Sequence, residues 1–259
     1  MLVDLSTFNN TFKQLLALCF LLIFIGCSKQ QSVEKIKGKR IEINEDIQID
    51  SIINSFITPY HNRVQSELDS VLAYSMDTYS KSDGEYNTAI GNLLADIVYE
   101  QGNLIYAKRT GQNIDMVMLN HGGIRSILSK GPITVKDVYS IMPFENSIVV
   151  VELSGKIILK RLVPFLMQKK IAHPVSGIKI HFNDEDYTVI KTINNLPIDP
   201  NKMYHIATND YLYFGGDNME FFQRGKMTPL NYKIRNAMID YFKKHDTIRP
   251  KRDDRFLKI

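Results

Sequence analysis

The sequence predicts an α/β or α+β fold, built as a mixed β-sheet flanked by helices. Amphipathic helical segments alternate with short β-branched strands, and one pair of strands has the spacing of a hairpin. The 259 residues are 44% hydrophobic and 23% charged, proportions that exclude a largely disordered, collagen-like or polytopic membrane protein. The formal net charge of +4 is weak support for a nucleic acid polymer as partner, and we expect none.

Residues 1–26 have the pattern of an export signal. The apolar run 15–25 follows Lys13 and is too short to span a bilayer core as a helix. It leads to Gly26-Cys27, which resembles a bacterial lipobox and implies cleavage before Cys27 and lipid attachment to its thiol. We therefore expect an exported lipoprotein, anchored on the periplasmic or cell-surface face of a membrane. An ordinary cleaved signal or a misassigned start is the alternative.

The segment 27–57 is predicted to be a tether. Residues 28 to about 50 are rich in Ser, Lys, Gln, Glu and Asp, a composition typical of a solvated linker. Within it a short edge strand is the alternative, because four isoleucines alternate with polar residues, namely Ile41, Ile43, Ile47 and Ile49. One folded domain, 58–259, is expected to follow. On the lipoprotein interpretation no free thiol remains, which excludes thiol catalysis.

The elements of this domain follow from short patterns taken in chain order. Residues 71–74 predict a strand, and apolar positions in 90–98 recur at helical spacing. Residues 114–119 predict a buried strand that leads into a turn at 120–123, where the paired Gly122 and Gly123 permit positive φ. Residues 147–153 predict another β-branched strand.

The second half of the domain shows the same alternation. Ser154 is a candidate cap for a helix that Pro164 should kink or divide. Residues 178–182 and 187–193 predict a hairpin, 204–208 a late strand, and 234–242 a helix. The basic tail 249–258 is expected to be a solvated end, with contact to anionic lipid or a protein partner as the lesser alternative.

Three loops at the ends of these elements carry unusual residues. They are 120–125, 142–146 and 209–217, and such loops are where α/β proteins place ligands. Together they offer two aromatic faces, a guanidinium, a carboxylate and a carboxamide. Aromatic faces stack on bases, an Arg fork matches phosphate oxygens, and a carboxylate accepts ribose hydroxyls, so this set of groups suits a nucleotide.

At these loops the chain resembles the C-terminal domain of the 5′-nucleotidase family. The matching stretches are IGNLLAD at 90–96, LNHGGIRSILSKGPITVKDVYSIMPFENSIVVVELSGK at 119–156, VSGIKI at 175–180 and LPIDPNKMYHIATNDYLYFGGDNMEFF at 196–222. The resemblance covers roughly residues 58 to 245. It implies a mixed-sheet, substrate-binding domain that takes a nucleotide or nucleoside.

The resemblance also assigns residues. Phe144 and Tyr211 match the two rings that sandwich the base, although family members often have Phe where Tyr211 stands. Asp217 matches the residue that holds the ribose hydroxyls, Asn120 a polar contact to the nucleoside, and Arg125 a contact on the phosphate side. The loops are shaped by four glycines, Gly122, Gly123, Gly215 and Gly216.

Each assignment has a structural alternative. Either ring could fill the core, and Arg125 could pair with a surface acid. Asp217 could stabilise a turn, and Asn120 could occupy a capping position.

The sequence departs from the family in two respects. No Arg precedes Gly91-Asn92, where many members carry one, and Lys81 offers only a point charge in its place. In addition, the family's hydrolysis takes place in a separate N-terminal metallophosphoesterase domain whose two-metal motifs we do not find. The six His residues are never closer than eight positions, and His121 is expected to be a loop residue facing solvent.

We therefore expect no catalytic residue, cofactor or metal site in this chain, and inactivity of the chain alone. It would be the recognition component of a 5′-nucleotidase-type hydrolase in nucleotide salvage, with divalent metals on a separate metallophosphoesterase partner. The first alternative is a non-catalytic surface protein that binds nucleosides or nucleotides. The second is a degenerate domain with a structural role only.

Overall fold

The computed structural model describes residues 12–18, 35–44, 46–169, 171–183 and 187–259, and it divides the chain into two units, 1–51 and 52–259. In the first unit, residues 12–18 are helical and residues 35–44 lie outside any helix or strand. Ile41, Ile43, Ile47 and Ile49 therefore form no edge strand, contrary to that alternative. Cys27 and most of the predicted export signal lie outside the described residues. Among the helices that are described, none has the length and apolar character needed to cross a membrane.

The second unit alternates helices and strands, as the sequence predicts. Its helices are α1 (Ser51–Leu68), α2 (Ala89–Thr110), α3 (Val135–Ile141), α4 (Gly155–Ile157), α5 (Val163–Lys169), α6 (Asp210–Tyr213) and α7 (Ile234–Phe242). Its strands are β1 (Val71–Ser75), β2 (Met116–Met118), β3 (Gly131–Thr134), β4 (Ser147–Ser154), β5 (Val175–Ser176), β6 (Ile178–Asn183), β7 (Tyr187–Ile193), β8 (Leu196–Pro197), β9 (Met203–Asn209), β10 (Lys226–Lys233), β11 (Thr247–Ile248) and β12 (Phe256–Lys258).

A five-stranded mixed sheet with the order β10-β4-β9-β2-β5 is the centre of this unit. Strands β2 and β9 are parallel, whereas β4 runs antiparallel to both β9 and β10. Two smaller sheets have the orders β11-β1-β3 and β12-β6-β7-β8. Strands β6 and β7 pair antiparallel, so the predicted hairpin is confirmed along with the mixed-sheet fold class.

The side chains of β4 show why the central sheet is buried on both faces. Ile148 and Val150 pack into one hydrophobic core with α2 and α7, and Val149 and Val151 pack into a second core on the opposite face. This alternation is the period of two that a strand imposes on its side chains. A strand covered on both sides needs an unbroken apolar run, and 148–151 supplies it.

Local capping chemistry sets the ends of two helices. The Thr88 side chain accepts a hydrogen bond from the backbone N–H of Gly91 at the start of α2, and Gly111 ends that helix in the left-handed conformation. Thr134 and Asp137 form a capping box at the start of α3. Ser154 precedes α4, but its side chain makes no capping bond, so its predicted role is wrong.

The helical segment around Pro164 is divided, as predicted. Helix α4 passes into a π-helical turn, Ile158–Leu162, in which the N–H of Val163 bonds to the carbonyl of Ile158, and α5 follows. Proline has no N–H to donate to the carbonyl four residues earlier, which accounts for the change in helical pattern beside it.

Helix α1 begins at Ser51, inside the segment predicted as a tether, and contains Pro59. None of its side chains is buried. Six of its large apolar side chains are exposed to solvent, namely Ile52, Ile53, Phe56, Ile57, Tyr60 and Val64.

The basic tail is not a solvated end, contrary to the sequence-based expectation. Strand β12 pairs in parallel with β6, and Phe256 is fully buried. The Arg255 guanidinium binds the carboxylates of Asp96 and Asp253 and the carbonyl of Val175. Burial would raise the pKa of Asp253, but the hydrogen bonds and charge of Arg255 outweigh it and hold this pKa below its ordinary value.

We predict that Arg255→Ala lowers the free energy of unfolding by about 2 kcal/mol, because two half-exposed carboxylates and a carbonyl lose a charged donor. Urea denaturation at pH 7 measures the change. Arg252→Ala is the matched control, since Arg252 is exposed and donates to the carbonyl of Asp83. An equal loss in both variants would contradict the assigned role of Arg255.

The ion pair between Asp253 and Arg255 should also make the stability of the protein depend on pH. Because the pKa of Asp253 is lower in the folded state, its stabilising contribution is present above the unfolded pKa of about 3.9 and is lost as pH falls through the folded value. The difference in unfolding free energy between wild type and Arg255→Ala should therefore shrink below about pH 4.

Candidate ligand-binding site

The directions of three strands bring the three candidate loops to one edge of the central sheet. Strands β2 and β9 are parallel, so the loops that follow them leave the sheet at the same edge. Strand β4 is antiparallel to β9, with Ile148 opposite Asn209, so the loop that precedes β4 lies at that edge too. The loops 120–125, 142–146 and 209–217 therefore meet, although as many as 97 positions separate them in the sequence.

Hydrogen bonds join these loops in pairs. The Asn209 amide donates to Oδ1 of Asn120 at 3.4 Å, and Oδ1 of Asp210 accepts from the backbone N–H of Ser147 at 3.2 Å. The backbone N–H of Arg125 donates to the carbonyl of Ile141 at 2.9 Å. Each loop is thus bonded to the other two or to residues directly beside them, which limits their independent movement.

The loops enclose a cleft of about 270 Å³. All five residues that the resemblance assigns to the ligand line it, together with one predicted loop glycine and one further carboxamide. The lining residues are Asn120, Gly122, Arg125, Phe144, Asn146, Tyr211 and Asp217. The structure therefore brings together side chains that the sequence could only assign one by one.

The two candidate stacking rings are exposed at this cleft. Phe144 is 40% exposed and Tyr211 46% exposed, so neither ring fills the core, which was the structural alternative for both. Aromatic side chains held partly open at the wall of a cleft present a π-face on which a planar ligand can stack.

Two glycines shape the loop behind Tyr211. Gly215 has φ 93°, a conformation that L side chains rarely adopt. A Cβ on Gly216 would lie 2.4 Å from the Tyr211 ring, so the ring packs directly on the backbone there. Gly122 and Gly123 have no positive φ, contrary to the expectation, because 121–123 form a short 3₁₀ turn. A Cβ on Gly123 would instead press on Oδ1 of Asn120 at 3.1 Å.

Tyr211 and Asp217 are joined within the cleft. The Tyr211 hydroxyl donates to Oδ1 of Asp217 at 3.0 Å. This hydrogen bond to the carboxylate, with a smaller contribution from burial, raises the pKa of the Tyr211 phenol. Asp217 itself has φ 52°, and this left-handed backbone turns its side chain into the loop end. A Phe at position 211 would leave this carboxylate oxygen without the hydroxyl.

Arg125 and Asn120 differ in how firmly they are held. Arg125 is exposed, lies 5.7 Å from the centroid of the Phe144 ring, and forms no ion pair with a carboxylate of the described residues. Asn120 is 7% exposed and is held by Asn209. The cleft thus presents a guanidinium available to an anion next to a fixed carboxamide.

His121 does not face solvent freely, contrary to the expectation. Its Nδ1 lies 3.1 Å from the carbonyl oxygen of Ala172, and its backbone N–H donates to the His173 ring at 3.3 Å. Lys81 is not among the residues that line the cleft. Within the described ranges of the chain, no group of three His, Cys, Asp or Glu side chains could hold a metal ion.

Asn146 and Arg235 are the contributors that the sequence reasoning missed. Asn146 lines the cleft two positions after Phe144, and its place within a ligand loop was the available signal. The Arg235 side chain is only 6% exposed, and its guanidinium donates to the carbonyls of Met142, Pro143 and Phe144.

Two more contacts hold the Arg235 guanidinium in place. It pairs with Glu145 and lies 4.1 Å over the Tyr139 ring. Arg235 stands on α7, about ninety positions from the loop it holds, and no local pattern marks it.

We predict that Arg235→Ala loosens the loop 142–146 and lowers the free energy of unfolding by about 2–4 kcal/mol, since three carbonyls and Glu145 lose a buried, charged donor. Hydrogen exchange of the backbone amides of 144–146 should accelerate well beyond the change at other loops. Arg109→Ala is the control, because exposed Arg109 donates to one carbonyl, that of Pro229. Unchanged exchange at 144–146 in Arg235→Ala would refute the positioning role.

Several bacterial proteins are similar to this chain in sequence, and two of them illustrate the identity and the coverage of these matches. Cell wall protein Lmo0130 of Listeria monocytogenes is 26% identical over 237 residues, covering 76% of this chain and 30% of that protein. Protein UshA of Yersinia enterocolitica is 25% identical over 240 residues, covering 86% of this chain and 40% of that protein. The chain therefore spans well under half the length of these relatives.

Solved structures share the fold. The 5′-nucleotidase precursor of Thermus thermophilus matches 80% of this chain and 43% of its own with a TM-score of 0.65 at 24% identity. The NAD nucleotidase of Haemophilus influenzae matches 76% of this chain and 40% of its own with a TM-score of 0.59 at 19% identity. At these identities the likeness concerns the fold.

A family model decides the assignment. The model described as the 5′-nucleotidase C-terminal domain matches residues 67–224, a stretch that contains all three loops of the cleft and the strands that place them. The chain belongs to the 5′-nucleotidase C-terminal domain family.

Proposed function

We propose that this chain is the substrate-recognition component of a 5′-nucleotidase-type hydrolase and that it binds a nucleotide or nucleoside in the cleft. The observation that carries the proposal is the convergence of Phe144, Tyr211, Asp217, Arg125 and Asn120 on one cavity of about 270 Å³. These groups match the parts of a nucleoside phosphate: base, ribose and anion.

The exposure and the hydrogen bonds of the side chains that line the cleft support a separate role for each of them in binding the ligand. The rings of Phe144 and Tyr211 stack on the base from two sides, and the carboxylate of Asp217 accepts from the ribose hydroxyls. Tyr211 engages only Oδ1 of that carboxylate, which leaves Oδ2 for the ligand. The Arg125 guanidinium, which is exposed and has no carboxylate partner among the described residues, binds phosphate oxygens. Asn120 and Asn146 present carboxamides to polar edges of the nucleoside.

Hydrolysis belongs to a second chain on this proposal. A two-metal phosphoesterase site needs several Asp, His and Asn ligands that converge on two ions. Among the described residues no group of three His, Cys, Asp or Glu side chains could hold a metal ion, so on this proposal the metals and the attacking water come from a separate metallophosphoesterase. The two chains together would dephosphorylate nucleotides for salvage.

A second candidate function is a surface protein that captures nucleosides without any catalytic partner. One observation favours it: Arg125 is the sole cation among the residues that line the described cleft, and Lys81 does not join it. A single guanidinium suits one phosphate or none, so a nucleoside ligand is compatible with this cleft.

Export and lipid attachment at Cys27 form part of the same proposal. One relative is named a cell wall protein, which supports a place outside the cytoplasm. The anchor would hold the recognition domain at the membrane face where external nucleotides arrive.

We predict that adenosine and AMP bind the purified chain, and that Phe144→Ala and Tyr211→Ala each weaken binding by roughly 5- to 150-fold. This range corresponds to about 1–3 kcal/mol for one stacking face. Isothermal titration calorimetry measures the dissociation constants.

Phe214→Ala is the matched control, because Phe214 is 71% exposed in the same loop and does not line the cleft. It should leave both affinities within about twofold. If neither ligand binds wild type, or if Phe214→Ala weakens binding as much as Tyr211→Ala does, the proposed site is wrong.

We further predict that the chain alone, supplied with Mn²⁺, Zn²⁺ or Mg²⁺, releases no phosphate from AMP. Addition of a metallophosphoesterase chain encoded beside it should produce release, and the measurement is colorimetric phosphate detection with time. The double variant Phe144→Ala/Tyr211→Ala, mixed with the same partner, should lower the rate at subsaturating AMP.

Metal-dependent turnover by the isolated chain that is lost in the double variant would overturn the division between two chains. Turnover by the pair that is equal with wild type and the double variant would overturn the recognition role.

A further inference from the structure

A second cleft, of about 300 Å³, shares no lining residue with the first. Three cations line it, Lys160, Arg161 and Arg224, against one carboxylate, Glu220, which gives these side chains a combined formal charge of +2. At this volume the cleft lies at the lower end of small-molecule sites, which run from about 300 to 1,000 Å³. We call it the basic cleft.

The charged groups of the three cations have no partner among the residues that the structure describes. The side chains are exposed, and none pairs with a carboxylate or donates a hydrogen bond there. A cation that is already paired must give up its partner before it binds an anion, whereas Lys160, Arg161 and Arg224 have none to give up. They are therefore available to an anion from solution.

One wall of the basic cleft is a face of a helical segment. Lys160 and Arg161 lie in the π-helical turn 158–162, a rare geometry that occurs frequently at functional sites. Phe165 follows on α5, four positions after Arg161. Side chains at this spacing are neighbours on a helix surface, with Cβ atoms about 5–6 Å apart. This wall therefore presents a cation next to an aromatic ring.

The other wall is the 3₁₀ segment Glu220–Arg224. Phe221 and Arg224 are three positions apart in it, and side chains at i and i+3 are aligned in a 3₁₀ helix. With a rise of about 2.0 Å per residue, the two are separated by about 6 Å along the segment. The second wall thus repeats the pattern of the first, a cation next to an aromatic ring.

Contact between the two rings joins the walls. The centroids of Phe165 and Phe221 are 5.6 Å apart with an interplanar angle of 65°, an edge-to-face arrangement. Arg161 and Arg224 each stand about one helical turn from this contact, on different walls, so both guanidinium groups can reach an anion held in the cleft. Charges beside a low-dielectric surface attract an anion more strongly than the same charges in open water.

We infer that the basic cleft is a second ligand site and that it binds the phosphate dianion of a small monoester. A monoester phosphate carries a charge of about −1.5 to −2 near pH 7, which matches the +2 of the cleft. Two guanidinium forks from different walls suit the several oxygens of a phosphate, and the joined rings offer a surface to an apolar ester group. None of these residues lines the cleft of Phe144 and Tyr211, so the inference goes beyond the proposed function and does not depend on it.

Calorimetry on the full chain at low salt tests the inference with three probes: phenyl phosphate, benzenesulfonate and inorganic phosphate. We expect phenyl phosphate to bind, with an affinity that falls as ionic strength rises because the cations are exposed. Benzenesulfonate, which has the same ring but a single charge, should bind at least about tenfold more weakly. Inorganic phosphate, which has no ring to pack on Phe165 and Phe221, should bind at least about threefold more weakly.

Variants locate the bound anion. Arg161→Ala/Arg224→Ala should weaken phenyl phosphate binding at least about tenfold, since both guanidinium forks are removed. Arg161→Gln/Arg224→Gln keeps most of each side chain and should weaken binding to a similar extent. Lys130→Ala/Lys226→Ala is the charge-matched control, because it also removes two exposed cations and neither lines a described cleft. It should leave the affinity within about twofold. Circular dichroism reports whether each variant is folded.

The outcomes separate this inference from the proposed function. If phenyl phosphate does not bind, if the Arg161/Arg224 variants keep its affinity, or if the control loses as much, the basic cleft is not the site and the inference is wrong. Equal affinity for benzenesulfonate or for inorganic phosphate would overturn the assignment of a monoester dianion. If adenosine fails to bind while phenyl phosphate behaves as expected, the proposed function fails and the inference stands.

Discussion

The register of three central strands is the constraint on which the site depends. Strand β9 lies between β4 and β2, antiparallel to the first and parallel to the second, and Asn209 at its end faces Ile148. A shift of β4 by one residue would exchange its two apolar faces and would also displace the Phe144 loop along the edge. Because both faces of β4 are buried in separate cores, packing on two sides fixes one register. The cleft is therefore positioned by hydrophobic burial some distance away from any residue that contacts a ligand.

Hydrogen bonds between polar groups at that edge of the sheet fix the three cleft loops relative to one another. Asn209, Asp210 and the backbone N–H of Arg125 bond the loops together, and Arg235 closes the set from α7 by holding three consecutive carbonyls. Backbone carbonyls in a loop have no ladder partner, and the buried Arg235 guanidinium supplies charged donors to these three. Rigid loops lose less conformational entropy when a ligand binds, and this favours an open but ordered cleft such as the one between Phe144 and Tyr211.

Local patterns in the sequence predict many of the elements and five of the side chains that line the cleft. A β-branched run identifies β4, helical apolar spacing identifies α2 and α7, and the ligand loops carry contiguous motifs. Features that depend on distant contacts were not predictable. The tail 249–258 has the composition of a solvated end, and only the approach of Asp96 and β6 gives it a paired strand, a buried Phe256 and an ion pair. Arg235 likewise contacts a loop about ninety positions away in the sequence. Gly122 and Gly123 were predicted to need positive φ, whereas close contact with Asn120 is the constraint at Gly123.

The hydrogen bond between Tyr211 and Asp217 couples the parts of the cleft that we propose to recognise base and ribose. The Tyr211 hydroxyl donates a hydrogen bond to Oδ1 of Asp217 and so fixes this carboxylate beside the ring. The ring in turn packs on the backbone of Gly216, so neither side chain can rotate without the other. A ligand that stacks on Tyr211 therefore meets an acceptor already in place for its sugar, and orientation of the carboxylate costs no additional entropy on binding. The left-handed backbone at 217 and 218, with φ 52° and 62°, accompanies this arrangement. Strained backbone of this kind persists where surrounding contacts determine it, and here the hydrogen bond from Tyr211 to Asp217 and the packing of the Tyr211 ring on Gly216 supply such contacts.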